Sequence, residues 1–266
     1  MEKSILLPLL LTLLAGLATS IGSLIAFFAK KTNRKFLSFS LGFSAGVMIY
    51  ISFVELFPQA KLILSNSFGE KLGFGLTSLW FFIGIFFIGI IDRLVPSAEN
   101  PHQIRSVENL NSKSTKDNKL MRVGIITALV IGIHNFPEGI ATFISTMDNP
   151  TLGFAIAFAI AIHNIPEGIA VSIPIYQATG SKKKAFWLSF FSGLAEPIGA
   201  ILAYLVLMPF LSQQLLGYVF AFVGGIMVFI SLDELLPAAR EYGESHISIY
   251  GLVIGMIVMA TSLIVL

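Results

Sequence analysis

His134-Asn-Phe-Pro-Glu-Gly-Ile-Ala141 returns 29 positions later as His163-Asn-Ile-Pro-Glu-Gly-Ile-Ala170, with seven of eight residues unchanged. Each copy sits inside an apolar stretch, 122–146 and 151–178. A membrane-spanning helix needs about 20 mostly apolar residues. Six further stretches qualify: 5–29, 36–57, 72–91, 184–208, 214–236 and 247–266. The expected fold is all-α and integral to a membrane, with eight transmembrane helices in a single domain over 1–266. Composition agrees. The chain is 55% hydrophobic and 12% charged, with a mean hydropathy of +0.85, against about 25% charged residues in a soluble domain. Lipid is the solvent such a surface fits. The first stretch reads as a retained span rather than a cleaved leader, because it is long for a leader core and only Lys3 precedes it.

The same composition excludes several functions. There is no cysteine, so disulfides, thiolate metal sites and thiol nucleophiles are absent. A net charge of +2, with no basic patch interleaved with aromatics, does not suit a nucleic-acid partner.

Two further repeats flank the doubled motif. Gly46-Val-Met-Ile-Tyr-Ile-Ser-Phe-Val-Glu-Leu-Phe-Pro58 resembles Gly225-Ile-Met-Val-Phe-Ile-Ser-Leu-Asp-Glu-Leu-Leu-Pro237, and Gly16-Leu-Ala-Thr-Ser-Ile-Gly22 resembles Gly193-Leu-Ala-Glu-Pro-Ile-Gly199. In each pair the two spans cross in opposite directions. The pattern is an inverted repeat, with spans 1–3 mirroring spans 6–8 and spans 4 and 5 as the central pair; spans 3 and 8 show no convincing match. Inverted repeats around a midplane site are typical of secondary transporters. Orientation follows from charge. One set of loops holds 14 Lys and Arg residues, in 30–35, 93–122, 182–184 and at 240, and the other holds only Lys3, Lys61 and Lys71. The basic loops face the cytoplasm. Both termini then lie outside a cell (plasma) membrane, and the long loop 92–121, with its polar run 109–119, is cytoplasmic and expected to be flexible.

Depth and spacing point to a metal. His134, His163 and Glu196 each lie twelve residues into their spans, about 18 Å of helical rise and close to mid-membrane. His134 and Glu138 are one turn apart on one helix face, with Asn135 beside them; His163, Asn164 and Glu167 repeat the arrangement. Pro137 and Pro166 each free a carbonyl one turn back, and Gly139 and Gly168 permit close helix approach. Glu138, Glu167 and Glu196 are three carboxylates in the apolar centre, where each acidic residue costs about 2.5–3.5 kcal/mol to insert. No Lys or Arg stands at matching depth. Protons or divalent cations must neutralise them. Donors of nitrogen and oxygen without sulfur fit Zn²⁺, Fe²⁺, Mn²⁺ or Co²⁺ and disfavour Cu⁺. Glu55, Asp233 and Glu234 stand near span ends, as solvated carboxylates or as stations on a transport path.

The doubled motif in an eight-span chain resembles the ZIP (Zrt-, Irt-like) metal transporters. The resemblance implies uptake of divalent metal into the cytoplasm, zinc first, with iron, manganese, cobalt or cadmium as further cargo, through a binuclear centre. By position, His134, Glu138, His163 and Glu167 would form the first site. Asn135, Glu138, Asn164, Glu167 and Glu196 would form the second, with the two central glutamates bridging. Many relatives carry Asp where Asn164 stands, so this chain has one negative charge fewer there, and it lacks their His-rich loop. Two other readings stay open. An intramembrane metalloenzyme would use a three-ligand zinc with an open water position, but no His-Glu-x-x-His occurs. An ion-coupled carrier of an organic solute would use the carboxylates as proton sites. No catalytic cofactor is expected. The partners are metal ions and the bilayer, and a homodimer is compatible with the sequence.

Overall fold

The apolar stretches become helices whose ends follow local chemistry. The computed structural model describes residues 5–28, 34–94, 116–210, 212–242 and 245–265. Helix α1 is Leu6–Phe28, α3 is Glu70–Leu94, α4 is Lys116–Asp148, α5 is Pro150–Thr179 and α8 is Ser245–Val265. Three spans are composite. α2 joins Arg34–Ile51, a π turn Ser52–Leu56 and Phe57–Phe68; α7 joins Gln213–Phe229, a π turn Ile230–Leu235 and Leu236–Tyr242. α6 joins Lys182–Gly193 to Ala195–Leu202 and closes with a π turn, Ala203–Leu207, and a 3-10 turn, Met208–Phe210. Among the described residues, seven helices are long and apolar enough to cross a membrane. The remaining expected span lies within the 33 residues of α4. The chain is a multi-pass membrane protein.

Caps set the central hairpin. The side chain of Asn149 accepts from Thr151 N at 3.0 Å and Leu152 N at 3.4 Å, and Pro150 occupies the first turn of α5. One residue therefore separates α4 from α5. At the other end Gly180, at φ 62°, closes α5, and Ser181 caps α6 through Lys184 N. α4 starts at Lys116, so residues 116–121 are helical rather than part of the expected loop, and Asp92 to Leu94 still belong to α3. The remainder of that loop, 95–115, lies outside the described residues.

Neither Pro58 nor Pro237 ends its helix, as the boundaries 57 and 236 anticipate. A proline removes the hydrogen bond to the carbonyl four residues back. Here the backbone has already changed register. Phe57 N–H bonds to Ser52 O, and Leu236 N–H bonds to Ser231 O, five residues back. The serine hydroxyls bond in turn to Met48 O and Met227 O, each at 2.7 Å. The two π turns sit at the same place in the repeat, 179 positions apart (231 − 52).

Packing divides the helices into two groups. α1, α4, α5 and α6 pack on one another, as do α2, α3, α7 and α8; the groups meet mainly where α2 lies against α5. Glycines permit the closest crossings. A methyl group on Gly139 would overlap the Glu196 carbonyl oxygen, and one on Gly168 would overlap that of Thr19. Those two contacts are related by the sequence offsets, 29 for the glycines (168 − 139) and 177 for their partners (196 − 19).

Candidate metal site

The duplicated motifs meet where α4, α5 and α6 cross. Asn135, Glu138, His163, Asn164 and Glu196 are 0% exposed and Glu167 is 3% exposed. They associate in pairs across helices. His163 Nε2 lies 3.1 Å from Glu138 Oε2, joining α5 to α4. Asn135 donates to Glu167 Oε2 at 3.3 Å and to Ile131 O at 3.1 Å in the amide orientation that satisfies its neighbours. Asn164 Nδ2 donates to Glu196 Oε1, joining α5 to α6, and to Ala15 O at 2.9 Å, which brings in α1. Glu138 and Glu167 lie close enough to Glu196 for their charges to act on it.

Each element has a local reason for its part. The Asn135-to-Glu138 and Asn164-to-Glu167 spacings put amide and carboxylate on one helix face. α6 breaks at Leu194, and Glu196 stands in the first turn of the segment that follows. Pro197 has no N–H to continue the ladder, and Ile198 N bonds back to Leu194 O at 3.2 Å. The break carries Glu196 to Asn164.

Three oxygens in this cluster have no hydrogen-bond partner among the described residues: Glu138 Oε1, Asn164 Oδ1 and Glu196 Oε2. All are acceptors. Acceptors gathered in a dry interior suit a cation, because buried oxygens without donors are costly unless positive charge or a proton meets them. The donor set fits a divalent ion of borderline hardness. Among the described residues, no three His, Cys, Asp or Glu side chains converge as a ready-made cage; they are tied to one another in pairs. Of the residues singled out in the sequence, the structure brings together Asn135, Glu138, His163, Asn164, Glu167 and Glu196. His134 lies on α4 one turn before Glu138, and its side chain lies outside the described residues.

The remaining carboxylates stand apart. Glu55 is half-buried and accepts from Gln59 Nε2 at 3.2 Å. Asp233 is exposed and Glu234 is buried. Glu55 and Glu234 fall within the two π turns, and because α2 and α7 continue past the prolines, neither is at a helix end. Sequence reasoning missed Ala15. Its carbonyl carries no residue-type signature, although the likeness of 16–22 to 193–199 pairs α1 with α6.

Comparison with known proteins supplies the family. The family profile described as ZIP Zinc transporter matches residues 3–119 and 96–263. The chain is 60% identical to the zinc transporter ZupT of Streptococcus mutans over 264 residues, covering 99% of each chain. It is 60% identical to that of Lysinibacillus sphaericus over 268 residues, covering 100% of each. Against that of Clostridium perfringens it is 57% identical over 275 residues, covering 98% of this chain and 96% of the other. The family is one of transporters rather than enzymes, and the chain belongs to it: it is a ZIP-family membrane protein.

Proposed function

We propose that this protein carries Zn²⁺ across the cell membrane into the cytoplasm, by alternating access to the buried cluster on α4, α5 and α6. The observation that carries this reading is the gathering of three donor-less oxygens, on Glu138, Asn164 and Glu196, beside the His163–Glu138 pair. The relatives named zinc transporters support the choice of cargo. His134, Glu138, His163 and Glu167 hold the first ion. Asn135, Asn164 and Glu196 share Glu138 and Glu167 with a second. Fe²⁺, Mn²⁺, Co²⁺ and Cd²⁺ compete for the same donors.

Binding exchanges hydrogen bonds for metal bonds. His163 and Glu138 share a proton in the metal-free cluster. A cation displaces it, because a ligand nitrogen or oxygen must be deprotonated to coordinate. The same holds where Asn164 donates to Glu196: the amide turns its oxygen to the ion. Glu55, in the π turn of α2, receives the ion on the outer side, and Asp233 and Glu234, in the π turn of α7, accept it on the inner side. Both termini lie outside and 92–121 inside, following the Lys and Arg distribution.

The test is radiolabelled zinc uptake in proteoliposomes. Glu138→Ala and His163→Ala abolish uptake while the protein still elutes as a folded species. Undiminished uptake in either variant overturns the assignment.

A further inference from the structure

Several buried Ser and Thr hydroxyls in this protein bond to the carbonyl four residues back. Thr12 bonds to Pro8 O at 2.7 Å, Ser52 to Met48 O at 2.7 Å, Thr146 to Thr142 O at 2.6 Å and Ser172 to Gly168 O at 2.7 Å. This is the ordinary way for a hydroxyl to be satisfied inside a membrane helix. Among the described residues Thr19, Ser20, Ser44 and Ser65 do not follow it, and neither do two residues that stand in line with the central carboxylate on α4. Thr142 Oγ1 and Ser145 Oγ are buried, both residues at 0% exposure, with no hydrogen-bond partner among the described residues.

Their positions give the departure a meaning. Glu138, Thr142 and Ser145 follow one another at i, i+4 and i+7, on one face of α4. Thr142 stands about 6 Å and Ser145 about 10.5 Å along the helix from Glu138. Three residues further on, Asp148 is exposed at the helix end. A row of unpaired polar oxygens thus leads from the central carboxylate toward the loop at Asn149. Such oxygens are costly in a dry interior, and Val or Ala would pack there without that cost. On α5 the positions 29 residues on from Thr142 and Ser145 carry no hydroxyl: they are Val171 and Pro174. The polar row exists on one arm of the inverted pair only.

We infer that Thr142 and Ser145 form the outer leg of the cation's route, a transient oxygen site for a partly dehydrated divalent ion on its way to Glu138. The inference rests on the transport reading above and on the orientation that places Asp148 outside. Neutral hydroxyls are hard oxygen donors that replace lost water. They bind weakly enough to let the ion move on, which conduction requires and a row of carboxylates would prevent. The opposite arm, lined by Val171, is dry and acts as the barrier to the cytoplasm until the helices repack.

The chain contains no cysteine, so single cysteines can be read directly. Thr142→Cys and Ser145→Cys in sealed, oriented vesicles are challenged with a membrane-impermeant cationic methanethiosulfonate. Both react from the Asp148 side, and Zn²⁺ slows the reaction; Val171→Cys does not react from that side. Absence of reaction at both 142 and 145, or reaction only from the opposite side, overturns the proposal. The double substitution Thr142→Val with Ser145→Ala gives an independent reading. Its initial zinc uptake falls on the order of tenfold, the factor expected from one lost contact of hydrogen-bond strength, while equilibrium zinc binding to the detergent-solubilised protein is unchanged. Unchanged uptake in this variant, beside abolished uptake in Glu138→Ala, overturns the outer leg and leaves the central site standing. Uptake that survives Glu138→Ala removes both.

Discussion

Asn164 holds the site together with one amide group. Its nitrogen donates both to Glu196 and to the carbonyl of Ala15, so α1, α5 and α6 share a single hydrogen-bond centre. An ionised aspartate cannot donate at all. Asn164→Asp therefore removes two hydrogen bonds and adds a fourth carboxylate to Glu138, Glu167 and Glu196. The metal-free variant should be less stable by about 1–3 kcal/mol, and zinc should raise its melting temperature more than it raises that of the parent. Thermal unfolding in detergent, with and without zinc, measures both; an equal zinc shift in the two proteins contradicts the account. At this scale the sequence was largely legible. Histidines and glutamates in apolar spans are expensive to insert, so their presence advertises a site and their spacing gives its face. The carbonyl of Ala15 was not legible, because every residue has one. Nor were Thr142 and Ser145, since a hydroxyl that bonds its own helix and one that does not are spelled identically.

Helix crossings depend on bare backbone at Gly139 and Gly168. A methyl group at either would meet a carbonyl oxygen of the neighbouring helix, and the helices would have to separate. Gly139→Ala and Gly168→Ala should each cost about 1–3 kcal/mol, the usual penalty of overpacking. Gly75 in α3 has nothing within 4 Å of where a methyl group would stand. There Gly75→Ala should be neutral or stabilising by up to about 1 kcal/mol, because alanine loses less freedom in a helix. Thermal melts of the three variants distinguish crowding from propensity; a loss at Gly75 equal to that at Gly139 would falsify the crossing argument. Element positions were legible from runs of apolar residues. The extents of α2 and α7 were not. Proline ordinarily predicts a helix end, and only the five-residue hydrogen bonds of the π turns carry the chain past Pro58 and Pro237.

On the scale of the whole molecule, orientation is the first thing to measure. Asp148 and Lys183 are exposed at opposite ends of α5's neighbours, and the Lys and Arg distribution places them on opposite sides. In the cysteine-free chain, Asp148→Cys should react with an impermeant maleimide on intact cells, and Lys183→Cys only after permeabilisation. Reaction of both from outside would reverse the topology. The π turns also govern which faces the assembled helices show. An α-helix turns about 100° per residue, so four residues overshoot a full turn by about 40°. Yet Met48, Ser52, Leu56, Ala60 and Leu64 are all buried at a strict spacing of four, and so are Met227, Ser231, Leu235 and Ala239. Over the sixteen residues from Met48 to Leu64 an unbroken α-helix would drift by about 160° and turn Leu64 toward lipid. One inserted residue in each π turn takes back about 100° of that drift. The turns act as phase corrections. Deleting a single residue from either would leave every side chain before it in place and rotate every one after it out of register, exchanging the packed face of the helix for its oily one.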